Sequence, residues 1–444
     1  MFANVLYLIT LAVASPWIAY RALRHGRYRR GTRQKLWGLS ASEATDLTQG
    51  RPCVWVHAVS VGEVNLMAGV VKRLEQQCPD VCIVVSTSTD TGYDLAISRF
   101  GEHRVFFCPL DFSWAVQRTL RNLSPLQLVI AELELWPNLI RIATDRGCPV
   151  SIINARLSDR SSKRYQQFRR WMGTTFGRLH WVGCQDDATR QHFQACGAAP
   201  DRLSVTGSLK FDNAPSSRDV ASVQRLVQWA GVDPWHRVWI MGSTQSAEEA
   251  MAIEIYQSLR VEHPELRLIL VPRHKERFDS VARLVQQSGL QVHRRSTDSS
   301  MYDDDWNNDQ VILVDTIGEL RDWWGVGQIA TVGGSFGDRG GQNMLEPAGY
   351  GAAVSFGPNT RNFRQIANQL IEAQAAVRVA NQSELAAFVL RCLEEIPAAD
   401  GLGRSAQAVV ARHRGATKRT VDQLCQNIES ALAPPKPLSP SKAA

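Results

Sequence analysis

Gln328-Ile329-Ala330-Thr331-Val332 runs directly into Gly333-Gly334-Ser335-Phe336-Gly337-Asp338-Arg339-Gly340-Gly341-Gln342-Asn343-Met344-Leu345-Glu346-Pro347. The first run is apolar and β-branched, the reading of a strand. Five glycines then leave the backbone free to take φ > 0 and to approach a ligand closely. The spacing beyond them predicts a helix, whose first N–H groups would be open to an anion. Asn343 and Glu346 stand three apart and so share one helix face. A carboxylate beside an anion site suits a pair of sugar hydroxyls. The plain alternative is a glycine-rich turn capping a helix on which Glu346 is solvated.

The same strand-to-helix alternation extends in both directions. Strands are expected over Cys53–Ser60, Val81–Thr87, Val105–Leu110, Leu126–Ala131, Val150–Ala155, Trp181–Gln185 and Leu203–Ser208. A second series covers Arg237–Gly242, Arg267–Pro272, Gln291–Arg294, Val311–Asp315, Gln328–Val332 and Ala353–Phe356. Helical spacing separates them, as in Val64–Gln77, Ser113–Asn122 and Leu139–Gly147. Near-continuous apolar strands divided by helices imply parallel sheets covered on both faces. The fold class is therefore α/β with two doubly wound, Rossmann-like domains. The expected limits are 36–212 and 236–432, joined by a linker over 213–235 that contains Asn213-Ala214-Pro215-Ser216-Ser217. A proline-containing tail, 433–444, is expected to be disordered.

The chain has 444 residues, 44% of them hydrophobic, enough for two full cores. Its net charge of +7 would suggest a nucleic-acid binder if it were spread over the surface. It is not: Arg21, Arg24, Arg27, Arg29, Arg30, Arg33 and Lys35 lie in one segment with no acid before Glu43, and the other 43 basic residues balance 43 acids. This argues against a polyanion partner such as nucleic acid. The basic segment follows an uncharged run, residues 2–20, about as long as a bilayer-spanning helix of roughly 20 residues. Positive charge after the apolar run is the reverse of a cleaved signal. Residues 1–35 are therefore expected to anchor the chain to a membrane, spanning it or lying in its interface, with the globular body on the cytoplasmic side. The nine cysteines form no metal-ligand spacing and read as free thiols in a reducing compartment, mostly in strands.

Ligands of open α/β sheets bind beyond the carboxyl ends of the strands. Three groups stand there. In His57-Ala58-Val59-Ser60-Val61-Gly62-Glu63, Glu63 falls in a first helical turn, either complementing the helix dipole or acting as a general base. Gly62 alone is too sparse for a dinucleotide fingerprint. In Ala131-Glu132-Leu133-Glu134-Leu135-Trp136-Pro137-Asn138, two acids leave a strand end on one side of the chain, bonded at the least to nearby N–H groups or Arg141. The third group is cationic: Lys210 in Gly207-Ser208-Leu209-Lys210-Phe211-Asp212 and Arg273 in Val271-Pro272-Arg273-His274. Gly242-Ser243-Thr244 suits a small-residue phosphate cradle, and Asp315-Thr316-Ile317-Gly318-Glu319-Leu320 closes another strand. Trp323-Trp324 reads as core packing.

Those motifs, with Asn154-Ala155-Arg156-Leu157-Ser158, occur in the order found in the 3-deoxy-D-manno-octulosonic acid (Kdo) transferases of lipopolysaccharide biosynthesis, which the chain resembles to about residue 425. The resemblance implies a GT-B glycosyltransferase, two Rossmann-like domains facing a cleft, with CMP-Kdo as donor and a lipid A precursor as acceptor at the inner membrane. It implies Glu63 as catalytic base, Glu132 and Lys210 as transition-state stabilisers, and CMP contacts at Pro272, Arg273, Ile317, Gly318, Glu319, Asn343, Met344, Leu345 and Glu346. No metal and no cofactor are expected. Departures from the family pattern are Gln245-Ser246-Ala247-Glu248-Glu249 for a run usually containing His and Gly, Gln342 for His, Ile317 for Met and Met344 for Pro. The rival readings are a UDP-sugar enzyme of similar fold and a catalytically silent nucleotide-binding protein at the membrane.

Overall fold

The computed structural model describes residues 2–25, 30–298 and 307–432. The tail from 433 and part of the basic run, 26–29, lie outside them. The chain divides into two compact units, Met1–Asn213 together with everything from Arg414 onward, and Ala214–His413. The sequence limits ran the second domain on to 432. Instead the final helix, Ala416–Leu432, returns to the first unit, where Val421, Leu424 and Ile428 join the core around Val56, Val64, Met67 and Leu74.

The first unit holds seven parallel strands, β1 (Cys53–His57), β2 (Cys82–Thr87), β3 (Val105–Phe107), β4 (Gln127–Ala131), β5 (Val150–Ala155), β6 (Trp181–Cys184) and β7 (Leu203–Val205). Their order is β3-β2-β1-β4-β5-β6-β7. The second unit repeats the design with β8 (Arg237–Thr244), β9 (Leu266–Pro272), β10 (Gln291–Arg294), β11 (Gln310–Leu313), β12 (Ile329–Val332), β13 (Ala353–Phe356) and β14 (Ala376–Arg378), ordered β10-β11-β9-β8-β12-β13-β14. In each sheet the order of strand addition reverses beside the first strand, between β1 and β4 and between β8 and β12. The three-residue β14 was not foreseen, because so short a run carries no periodic signal.

Strand β1 explains the unbroken hydrophobicity. Cys53 and Trp55 point into one core with Phe106, Leu128 and Phe193, while Val54 and Val56 point into the other with Val64 and Met67. Successive side chains alternate between faces, so a strand covered by helices on both sides must be apolar at every position. The cysteines only partly follow the expectation for strands. Cys53, Cys82 and Cys184 are in strands, but Cys196, Cys392 and Cys425 are helical and Cys78 ends a helix.

The amino-terminal helix spans Phe2–His25. No described helix is long and apolar enough to cross a membrane, so the spanning form of the expected anchor has no support. Asn4, Thr10, Ser15 and Pro16 dilute its apolar length. Its first turns are hydrogen-bonded to the first unit: the Asn4 amide donates to Ser113 Oγ at 2.6 Å, and Tyr7 Oη donates to Asp111 at 2.9 Å. Val5, Leu8, Ile9, Val13 and Trp17 remain exposed, Val13 to 77%.

Candidate functional site

Two clusters of charged residues stand at the carboxyl ends of the strands, one in each unit. In the first unit, β1 leads through Ser60 into the helix Val61–Gln77. Glu63 is the third residue of that helix. Its carboxylate accepts the Val59 N–H at 2.8 Å and the Ser60 hydroxyl at 3.1 Å. Burial raises its pKa to about 7, and the negative charges of Glu132 and Glu134 add to the rise, against those two hydrogen bonds. A carboxylate that takes up a proton near neutrality has the affinity a general base needs. A helix dipole alone would lower its pKa, so burial outweighs that influence here.

Glu132 follows β4, across the switch point from β1. Its backbone takes φ +57°, and its N–H donates to Ile153 O at 2.9 Å. Left-handed backbone in a residue with a Cβ costs energy and marks a position set by its surroundings. Glu134 is raised by burial and by Glu132, against a hydrogen bond from Trp136. Lys210 sits in the one-turn helix Leu209–Asp212. Burial lowers its pKa, as does Arg156, while Glu132 pulls the other way. Glu63, Glu132 and Lys210 are thus electrostatically linked in one unit. Asn154 supports this group: at φ +53° on the end of β5, its Oδ1 accepts the Leu209 N–H at 3.0 Å and so fixes the turn bearing Lys210. His57, though in the same motif as Glu63, is fully buried and bonded to Ser86 Oγ at 2.8 Å. Burial lowers its pKa to about 4, which leaves it neutral.

The second unit corrects the reading of the glycine-rich loop. The helix after the loop is only Leu345–Gly349, and the consecutive N–H groups at the start of the loop are taken by the chain itself. Glu248, absent from the sequence candidates, accepts from Gly334 N at 2.8 Å, Ser335 N at 3.1 Å and Phe336 N at 3.2 Å, and from Gln245 N at 2.8 Å. The chain's own carboxylate fills the nest at the β8/β12 switch point. Gly333 is required there, because a Cβ would come within 2.8 Å of Glu248 Oε2 and 2.9 Å of Ser243 O. The signal for Glu248 was an acid opening a helix just past β8.

In Gly242-Ser243-Thr244, two of the three residues are already committed. A Cβ on Gly242 would meet Trp324 at 2.5 Å, so glycine is there for packing, and the Thr244 hydroxyl is committed to buried Glu249 at 2.8 Å, which also holds Arg277 at 2.8 Å. Trp323 and Trp324 are core residues, as expected.

The remaining candidates stand further out along the sheet. Asn343 Nδ2 donates to Glu346 Oε1 at 3.0 Å, and Asn343 Oδ1 accepts Leu345 N–H at 3.2 Å. Burial raises the pKa of Glu346, against Asn343 and the charges of Arg321 and Arg273. Pro272 ends β9, and the exposed Arg273 follows it, held by its N–H to Thr244 O at 3.1 Å. Ile317 is 79% exposed beside Gly318 at φ +94°. The Glu319 carboxylate is gripped by Arg295 at 3.0 and 3.1 Å and by the Thr316 hydroxyl. Burial alone would raise its pKa, but these partners carry it below the usual value. Glu319 therefore shapes its loop. Met344 and Leu345 are fully buried, backbone included. Among the described residues, no group of three or more His, Cys, Asp or Glu could hold a metal ion.

Residues 23–213 match the family model described as 3-deoxy-D-manno-octulosonic-acid transferase (kdotransferase). A 3-deoxy-D-manno-octulosonic acid transferase of Bordetella pertussis is 34% identical over 379 residues, covering 84% of this chain and 86% of that one. In fold, the chain is similar to a glycosyltransferase from Rickettsia africae, with a TM-score of 0.54 at 9% identity over 86% of this chain and 99% of that one. The Haemophilus influenzae transferase of the same name is 32% identical over 433 residues, 96% of this chain and 98% of its own. Identity at that level over nearly the whole of both chains establishes that this protein belongs to the 3-deoxy-D-manno-octulosonic acid transferase family of glycosyltransferases.

Proposed function

We propose that the chain transfers Kdo from CMP-Kdo to a lipid A precursor with inversion and without a metal. Glu63 carries the reading: a carboxyl at a strand end, raised to about 7 and held by Val59 and Ser60. It takes the proton from an acceptor hydroxyl as that oxygen attacks the anomeric carbon of the donor. Charge then builds on the departing CMP phosphate, and Lys210 and Arg273 offset it. Glu132 holds Lys210 in its charged form. Glu346, aligned by Asn343, accepts the ribose hydroxyls, and Ile317 and Gly318 contact the rest of CMP. The preformed electrostatics of these side chains suffice for a monophosphate leaving group.

The amino-terminal helix supports a glycolipid acceptor. Its exposed Val5, Leu8, Ile9, Val13 and Trp17 make an apolar face, and Arg24 and Arg30 follow it. Such a helix lies in the interface of an anionic leaflet. In this reading the enzyme works on the cytoplasmic face of the inner membrane, where the acceptor is concentrated in two dimensions.

The test is to incubate the protein with CMP-Kdo and a tetra-acylated lipid A precursor, then weigh the product by mass spectrometry. The expected result is a product heavier by Kdo, with transfer inhibited by CMP and not by UDP. Inhibition by UDP alone, or no product from an otherwise CMP-binding protein, would overturn the reading.

A further inference from the structure

The helix Ala416–Leu432 braces two elements of the first unit at once. At its start, Gly415 N and Thr417 N donate to the Asp212 carboxylate at 2.6 and 2.5 Å, and Arg419 Nε donates to Thr206 O at 2.8 Å. Asp212 ends the turn that carries Lys210. Two turns further on, Cys425 meets Cys78, the residue that closes the helix opened by Glu63. Their Sγ atoms are 3.1 Å apart, inside the roughly 3.5–4.0 Å of ordinary non-bonded contact. Gln77 lines the same spot: its Oε1 accepts from Cys425 Sγ at 3.3 Å, and its Nε2 donates to Asp422 at 3.5 Å. Cys78 is half-buried, whereas the other eight cysteines are buried. A soluble oxidant therefore meets this pair through Cys78, and Cys425 waits behind it.

We infer that Cys78 and Cys425 are a thiol-oxidation site, forming a reversible disulfide with a small disulfide oxidant such as oxidised glutathione. The Cys78 thiolate attacks one sulfur of the oxidant, the oxidant's S–S bond breaks, and one glutathione thiolate leaves. Cys425 then loses its proton and attacks the Cys78 sulfur of the mixed disulfide, expelling the second glutathione thiolate. Two cysteine thiols are oxidised to one disulfide, one glutathione disulfide is reduced to two thiols, and the two protons pass to the leaving thiolates. The order follows from the site: Cys78 is the more exposed of the two, and burial and the neighbouring Cys78 push the Cys425 thiol up, so Cys78 meets the oxidant and Cys425 resolves the mixed disulfide. The bond closes a loop across 347 residue positions and ties the carboxy-terminal helix to the helix bearing Glu63, while the far end of the same helix holds the Lys210 turn. Formation of the disulfide does not depend on the catalytic reading.

The full chain is incubated with oxidised glutathione, alkylated and digested without reduction. Mass spectrometry is expected to find a peptide pair joined through Cys78 and Cys425 that dithiothreitol separates. The oxidised protein should melt on the order of 5–10 °C higher than the reduced one. Cys78→Ser should abolish both the joined peptides and the shift, and Cys425→Ala should stop at a glutathione adduct on Cys78. A Cys78 adduct without joined peptides in the unaltered chain would overturn the inference. So would a melting shift that persists in Cys78→Ser.

Discussion

Glu63 holds its proton to about pH 7, because burial and two neighbouring acids disfavour its charge more than Val59 and Ser60 favour it. As a base it works only when ionised, so kcat/KM for transfer should rise with pH through about 7 and then level. Stability follows the same proton with the opposite benefit. The folded chain binds it more tightly than the unfolded chain, whose carboxyl titrates near the ordinary 4.5. The stabilisation is complete below that value and is lost as pH climbs through 7. Glu63→Gln should therefore cut transfer by roughly 10²–10⁴-fold, leave CMP affinity unchanged, and melt above the wild type at pH 8 but alongside it at pH 4. Full activity in that variant ends the assignment. Ala247 is a second test at this scale. It sits at φ +74° in the loop after β8, a conformation that penalises a Cβ. Ala247→Gly should raise stability by roughly 0.5–1 kcal/mol in urea unfolding, and a lower midpoint would refute strain there.

The glycine-rich loop and the helix Glu248–Leu259 act as one element, because a single carboxylate satisfies four backbone N–H groups. Buried donors left without an acceptor cost about 1–3 kcal/mol each, so the loop's shape depends on Glu248 as well as on its glycines. Glu248→Ala is expected to weaken CMP binding at least tenfold by calorimetry and to lower the melting temperature. Glu248→Gln should fall between, since its NH₂ faces donors it cannot bond. Unchanged CMP affinity in the alanine variant would mean that the loop is not part of the donor site.

At the scale of the molecule, the first unit is assembled from both ends of the chain. Val421, Leu424 and Ile428 of the last helix are buried within it. Each is worth roughly 1.5–3 kcal/mol, a sum comparable with the roughly 5–15 kcal/mol that holds an ordinary domain together. A chain ending at His413 should lose the first unit to limited proteolysis while the second, Ala214–His413, survives as a resistant core. Cooperative unfolding of an intact first unit in that truncation would show that the helix is dispensable.

The one-dimensional pattern was enough for two parallel α/β units, for strands such as Val150–Ala155 to the residue, and for the acids and cations at their ends, because continuous apolar runs and strand-end polarity are local properties. Family motifs pointed to Glu63, Glu132 and Lys210 for the same reason: each motif is a contiguous stretch of the chain. The structure alone decided which groups are already spent. Glu248 fills the anion nest across 86 positions from Gly334, Glu319 is held by Arg295, and the last helix crosses back to reach Asp212 and Cys78. Each of these is a pairing of residues far apart in sequence, and whether a polar group is free for chemistry depends on which partner the fold brings to it.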